Sequence, residues 1–288
     1  MSLRGRLILK AIELLPEKEI SRLVRRAADL PVALVIREFA KAYGVNLEEA
    51  EKPIGEYRSL LDFFTRRLKP GVRPIDARPD VLVCPVDGVL DALGRIDGDR
   101  LVQAKGREYS VAALLADSER ARRFEGGTFF TLYLSPKDYH RVHSPADAVV
   151  TGYTYVPGAL FPVNPNAVAN VDSLFAKNER LITHLSSERF GLMDYVMVGA
   201  TCVGHIKVAY DRAVATNVGA KQLERQSYQP AIPIARGGEL GVFELGSTVV
   251  LLVEPGVEPI LEPGAVVKMG QALAQRGSAP SFLGRAFL

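Results

Sequence analysis

Between residues 81 and 276 the chain is written in short apolar runs broken by glycine and proline: VLVCPV, GVLDALGRI, FFTLYL, AVVTGYTYV, DYVMVGATCVGHIKVAY, LGVFEL and STVVLLV. Runs of this length, rich in β-branched and aromatic residues and bounded by turn formers, read as strands. Near the C-terminus, PGAVVKMGQALAQRG reads as a β-hairpin, and one helix is expected over Val111–Phe124. The stretch GVRPIDARPD, from residue 71, is a turn-rich joint. Ahead of it helical signals dominate. Pro31 precedes Val32, Val35, Ile36, Phe39 and Tyr43 at helical spacing, and Gly44 suits the end of that helix. Asn46 with Glu49, and Ser59 with Asp62, read as capping boxes. The expected fold is α+β: a β-rich, sandwich-like body over 71–288, preceded by a helical region over 1–70 that carries an amphipathic N-terminal arm.

A chain of 288 residues, 48% hydrophobic and 24% charged, is globular rather than disordered or fibrous. Its two cysteines, Cys84 and Cys202, exclude a disulfide framework and point to a reducing cytoplasm. No window approaches the roughly 18 apolar residues of a membrane span, and the three between Arg6 and Lys10 are too few for a signal-peptide core. A net charge of +3 does not suggest nucleic acid as a partner. The distribution of that charge says more. Residues 1–26 hold seven basic and three acidic side chains, a net +4, while the rest of the chain sums to −1. Arg6, Lys10, Glu13 and Glu17 share one helical face, and Leu3, Leu7, Ile8, Ala11, Ile12, Leu14 and Leu15 cover the remainder. Pro16 ends this helix and opens a second. Such an arm either packs on a core with its basic face in water or lies in the plane of an anionic membrane surface.

Three stretches could carry chemistry. In FELGSTV, Gly246-Ser247 interrupts what otherwise reads as one strand; this is either a bulge or a place where the Gly246 carbonyl is left unshielded beside the Ser247 hydroxyl. In LSPKDYHRVHSP, Ser135, Pro136 and Asp138 cap a single turn that ends at His140, with His143 following as the chain extends toward Pro145. In CPVDGV, Asp87 falls among apolar residues, so its carboxylate must reach water or be paired. His140-x-x-His143 and Cys202-x-x-His205 form no strong metal spacing, and no metal is expected. His184 and His205 read as structural. Asp87, His143 and Ser247 together supply an orienter, a base and a nucleophile, an inventory that composition alone does not turn into a site.

These stretches, together with QAKGREYS, YVPGALFPVN, LFAKNER and VGATCVG, resemble the bacterial, membrane-associated, pyruvoyl-dependent phosphatidylserine decarboxylases over nearly the whole chain. The resemblance implies that Ser247 attacks the carbonyl of Gly246, with His143 as base and Asp87 orienting that histidine. The chain then parts between Gly246 and Ser247, and Ser247 becomes a covalent pyruvoyl group, the sole cofactor. It further implies that this group forms a Schiff base with phosphatidylserine and releases phosphatidylethanolamine, with His140 handling substrate or a proton. Large and small chains would stay associated, as a homo-oligomer, peripheral on the cytoplasmic side of the cell membrane and docked through the arm.

Two rivals remain open on the residues alone. A Ser/His/Asp hydrolase would act on an external ester without self-cleavage, though no Gly-x-Ser-x-Gly elbow surrounds Ser247. A biotinyl- or lipoyl-type carrier would use Lys268, but Val266, Val267 and Gly270 beside it make a structural hairpin role the better reading.

Overall fold

The computed structural model describes residues 32–102, 107–163, 165–200, 205–216, 222–244 and 247–277, with the backbone alone at 165, 166 and 247. The arm over 1–26, Cys202, Leu245 and Gly246 lie outside the described residues. In chain order the elements are α1 (Val32–Tyr43), α2 (Leu60–Phe64), β1 (Val81–Val83), β2 (Gly88–Arg95), β3 (Arg100–Val102), β4 (Glu108–Ser110), α3 (Val111–Leu115), α4 (Ser118–Arg122), β5 (Thr128–Leu134), β6 (Arg141–His143), β7 (Ala148–Val156), α5 (Pro165–Asn170), α6 (Leu174–Lys177), β8 (Arg180–Ser187), β9 (Gly191–Val198), β10 (Ile206–Val208), β11 (Glu224–Ile234), β12 (Glu239–Phe243), β13 (Ser247–Val253), β14 (Val257–Pro259), β15 (Val266–Val267) and β16 (Ala272–Arg276). The fold is α+β and β-rich, as expected.

An eight-stranded antiparallel sheet in the order β11-β7-β8-β9-β13-β5-β2-β15 forms the body, flanked by the three-stranded sheets β1-β16-β14 and β10-β12-β6. β13 sits inside the large sheet because Val249, Val250, Leu251, Leu252 and Val253 are all fully buried, and a strand covered on both faces reads as a continuous apolar run. The large core draws on residues from Leu82 to Ala274. A second, separate cluster joins Ile36 and Ala40 of α1 to Val45, Tyr57 and Phe63.

Ser59 caps as expected, whereas Asn46 caps one residue early and the Glu49 carboxylate turns to Arg73 instead of closing a box. Ser59 Oγ accepts from the Asp62 N–H at 3.0 Å, Asn46 Oδ1 accepts from the Glu48 N–H at 3.1 Å, and Gly44 has φ +71°. The helix expected over Val111–Phe124 is two helices, because Asp117 starts afresh as an N-cap to Arg120 N–H at 2.9 Å and Ala116 takes a left-handed φ of +52°. The long run from Asp194 to Tyr210 is divided between β9 in the large sheet and β10 in another. β11 has no apolar run to announce it; it is an exposed edge strand holding Pro230 and Pro233, residues that an edge tolerates.

Gly88 opens β2 where two backbones nearly touch. A Cβ placed there would lie 2.2 Å from the Tyr133 carbonyl oxygen. Gly88→Ala should therefore cost about 3 kcal/mol by urea unfolding, the upper range for overpacking. A loss below 1 kcal/mol would show that β2 and β5 part without strain.

Candidate active site

The site is assembled by strand register. Ser247 begins β13 opposite Leu134, the last residue of β5. On the other side of β5, Val89 of β2 faces Tyr133. Asp87, just ahead of β2, therefore lies at the same end of the sheet as the Ser247 backbone, two strand spacings or about 10 Å across. Beyond Leu134 the chain turns: the Asp138 carboxylate accepts from Ser135 N–H at 2.9 Å and from Ser135 O–H at 2.6 Å. This turn delivers His140 and β6. There the His143 N–H donates to the Pro85 carbonyl at 3.0 Å, and the Phe243 N–H donates to the His140 carbonyl at 3.0 Å. β6 pairs with β12, which ends four residues before Ser247. Asp87, His140, His143 and the Ser247 backbone thus converge on one end of the large sheet.

His143 is 7% exposed and carries two defined hydrogen bonds. Its Nδ1 lies 2.8 Å from the Gly237 carbonyl, which can only accept, so the proton resides on Nδ1. Nε2 is then a lone pair, and it accepts from the Tyr139 hydroxyl at 3.1 Å. Burial pulls its pKa below the ordinary histidine value, partly opposed by the Gly237 carbonyl and the charge of Glu239. A neutral imidazole with its basic nitrogen shielded only by a phenol is a competent general base at neutral pH.

Asp87 is 1% exposed, and its carboxylate is paired rather than solvated. Arg73 Nε donates at 2.9 and 3.1 Å and Nη2 at 2.5 Å, Lys268 Nζ donates at 3.1 Å, and the Met269 N–H at 2.9 Å. Burial alone would raise this carboxyl, but the Arg73 hydrogen bonds and charge, the Met269 N–H and Lys268 together hold it below the usual range. Arg73 reaches Glu49 as well, at 2.6 Å. Asp87 makes no direct hydrogen bond to His143; the histidine is oriented by Gly237 and Tyr139. Lys268, read from sequence as a hairpin residue, is also a partner of the buried aspartate.

His140 is fully buried, its ring centroid 4.0 Å from that of Phe64. Its Nδ1–H donates to the Asp138 carbonyl at 2.9 Å, while Nε2 has no partner among the described residues. Desolvation pushes its pKa down to about 3, the Asp138 carbonyl notwithstanding. At rest this side chain is therefore a neutral acceptor, and a role as proton donor requires that it first take up a proton. Thr248 Oγ1, next to Ser247, is likewise buried without a partner among the described residues. Unsatisfied buried groups beside Ser247 and at His140 suit a site whose polar complement is completed by a group formed there or by substrate.

His184 bridges Asp194 at 2.7 Å and Thr154 at 2.9 Å, and His205 Nδ1 donates to the Thr216 carbonyl at 2.6 Å, both structural arrangements. The sequence reading missed Arg73, Tyr139 and Gly237. A buried aspartate demands a cation, but nothing in the spacing tells which one arrives.

The sequence profile of the family described as phosphatidylserine decarboxylase matches residues 60–275. The chain is 47% identical over 273 residues to the phosphatidylserine decarboxylase proenzyme of Myxococcus xanthus (strain DK1622), covering 92% of this chain and 96% of that protein. It is 46% identical over 280 residues to the proenzyme of the same name from Anaeromyxobacter sp. (strain K), covering 94% and 99%, and 44% identical over 270 residues to that of Brevibacillus brevis, covering 92% and 96%. With a family profile over residues 60–275 and relatives this similar almost from end to end, the chain belongs to the phosphatidylserine decarboxylase family and is a carboxy-lyase.

Proposed function

We propose that this chain is a proenzyme that cuts itself between Gly246 and Ser247 and then converts phosphatidylserine to phosphatidylethanolamine. The observation that carries the reading is the neutral His143, with its proton on Nδ1 and its lone pair on Nε2, at the sheet end where Ser247 begins β13. An unactivated serine is a weak nucleophile and needs such a base. In the first reaction His143 takes the Ser247 hydroxyl proton as Oγ bonds to the Gly246 carbonyl carbon. The Gly246–Ser247 amide C–N bond breaks, leaving an ester and a free Ser247 amine. Removal of the Ser247 Cα proton expels the Gly246 carboxylate from Cβ. Water then replaces the nitrogen, releasing ammonia and leaving a pyruvoyl terminus.

When present, that ketone supplies the electron sink into which the carboxylate's bonding electrons pass as carbon dioxide leaves. Asp87 keeps a fixed negative charge near both histidines. The resting His140 offers its Nε2 as an acceptor. The relatives' name, proenzyme, accords with self-cleavage. So does the sheet: a released small chain of 42 residues, 247–288, would still begin with β13 held between β5 and β9. Its β15 and β16 would stay paired to β2 and β1.

Intact mass measurement with denaturing electrophoresis tests the reading. Two fragments are expected, the smaller without a free amine and reactive toward a carbonyl reagent. A single chain modified at Ser247 by a fluorophosphonate would instead establish the hydrolase.

The region over 1–70 is the membrane-associating part in this reading, with the protein peripheral on the cytoplasmic face. No helix among the described residues is long and apolar enough to cross a membrane. A two-chain lipid stays in its bilayer, so its headgroup must be met at the surface. Deleting residues 1–26 removes a net +4; at about 1 kcal/mol per basic residue, binding to anionic vesicles should fall by at least about tenfold in flotation. Undiminished flotation would reduce the arm to an ordinary packed helix pair.

A further inference from the structure

Resting on the decarboxylase reading above, we infer that Arg66 is the residue that holds the phosphodiester of the lipid headgroup. Arg66 is 5% exposed and forms no ion pair among the described residues. Only one of its three nitrogens is occupied: Nη2 donates to the carbonyls of Lys137 at 2.9 Å and Asp138 at 3.2 Å. Nε and Nη1 are buried with no partner among the described residues. The carboxylates nearest it in charge are spoken for, Asp87 and Glu49 by Arg73 and Asp138 by Ser135. A sealed guanidinium with two open nitrogens and no counter-ion is costly. The missing component is an anion that can take a planar fork of donors.

Its surroundings say which anion. The Asp138 carbonyl that accepts from Arg66 is the same one that accepts from His140 Nδ1, so the open donors of Arg66 and the open acceptor Nε2 of His140 lie on either side of one oxygen. The Tyr57 ring and the Arg66 guanidinium both contact Phe63, at 5.2 and 5.1 Å, and the Tyr57 hydroxyl is buried without a partner too. Open donors beside an open acceptor match a phosphoserine head, whose anionic phosphate and amine are separated by one oxygen and two carbons. A polar cavity of about 560 Å³, lined by Lys52, Glu56, Arg58, Asp62, Thr65 and Glu244, reaches the chain neighbour of Arg66.

The headgroup carries two anions, and the chemistry chooses between them. The α-carboxylate leaves as neutral carbon dioxide, so an arginine on it would stabilise the ground state more than the transition state and slow the reaction. The phosphodiester keeps its charge throughout. Arginine there binds substrate and transition state alike.

The test uses the matured enzyme, short-chain phosphatidylserine as substrate, and short-chain phosphatidylethanolamine, which keeps the phosphate but lacks the carboxylate, as ligand. Arg66→Gln is expected to split into the same two fragments, to raise KM about 10- to 100-fold with kcat within about threefold, and to weaken calorimetric binding of phosphatidylethanolamine by a similar factor. Arg66→Lys, which keeps a point charge but loses the fork, should fall between. Unchanged phosphatidylethanolamine affinity would overturn the inference, even with altered turnover, since Arg66 would then serve the carboxylate or nothing. If neither variant yields folded protein by near-UV circular dichroism, Arg66 is a strut for the 135–138 turn and the inference also fails. Calorimetry needs no turnover, so a loss of affinity confined to the Arg66 variants is distinguishable from a parent chain that fails to split.

Discussion

Ser247→Ala yields one chain of 31.4 kDa that never divides and shows no decarboxylase activity. The expected loss exceeds about 10⁴-fold, because the substitution removes the nucleophile, and without the ester formed through Oγ there is no leaving carboxylate and no elimination from which the ketone can arise. The fold should be untouched. The Ser247 backbone pairs with Leu134, and alanine can occupy the same strand position. Urea unfolding within about 0.5 kcal/mol of the parent is the matching control. A variant that still fragments at this point, or still releases carbon dioxide from phosphatidylserine, would remove the basis for self-processing. His143→Asn, by contrast, keeps the serine and loses the base. Its fragments should appear about 10²- to 10⁴-fold more slowly, not fail outright.

Arg73→Met should be the most destabilising single change at the site. The Arg73 side chain is 7% exposed and holds the 1%-exposed Asp87 with three hydrogen bonds. Removing one partner of a buried pair leaves an uncompensated charge and costs about 3–5 kcal/mol. For a chain of this size that is a drop of roughly 10 °C in Tm. Lys268 and the Met269 N–H remain on Asp87, so the lower half of that range is the better expectation. The pH dependence has a definite sign. In the parent, Asp87 is held below its ordinary value, so its contribution is full above about pH 4 and fades as pH falls through the folded pKa. In the variant, burial without Arg73 raises the carboxyl, so the gap between the two proteins should narrow on acidification. Adding Asp87→Asn to Arg73→Met should recover part of the loss, the signature of a coupled pair. A Tm within about 2 °C of the parent would show that Arg73 is dispensable to Asp87.

Much of the fold was legible because local physics and burial agreed. The apolar spacing of Val32, Val35, Ile36 and Phe39 gave α1, and the unbroken run Val249–Val253 gave a strand buried on both faces. Where they disagreed the reading failed. Asp117 followed by Ser118 looks innocuous within a helical pattern, yet it supplies a new cap and divides the helix. β11 is held by pairing to β7, not by any apolar run of its own. The site shows the same division. Asp87, His140, His143 and Ser247 stood out through short motifs and the resemblance they carried. Arg66, Arg73 and Tyr139 did not, and Lys268 drew notice only for a different role, because the partners of each are set only when the chain folds.

By itself the order of amino acids determined which side chains were available for chemistry, which segments had to be strands, and that Asp87 would need a partner. Only the tertiary structure decided who that partner is, which nitrogen of His143 bears the proton, and that Arg66 is left with donors to spare. The reason is physical. Secondary structure and burial preference depend on neighbours a few residues away, whereas protonation and pairing depend on desolvation and on charges that meet only in space. Glu49, Arg73, Asp87 and Lys268 are brought together across 219 positions of chain, and no local pattern records that encounter.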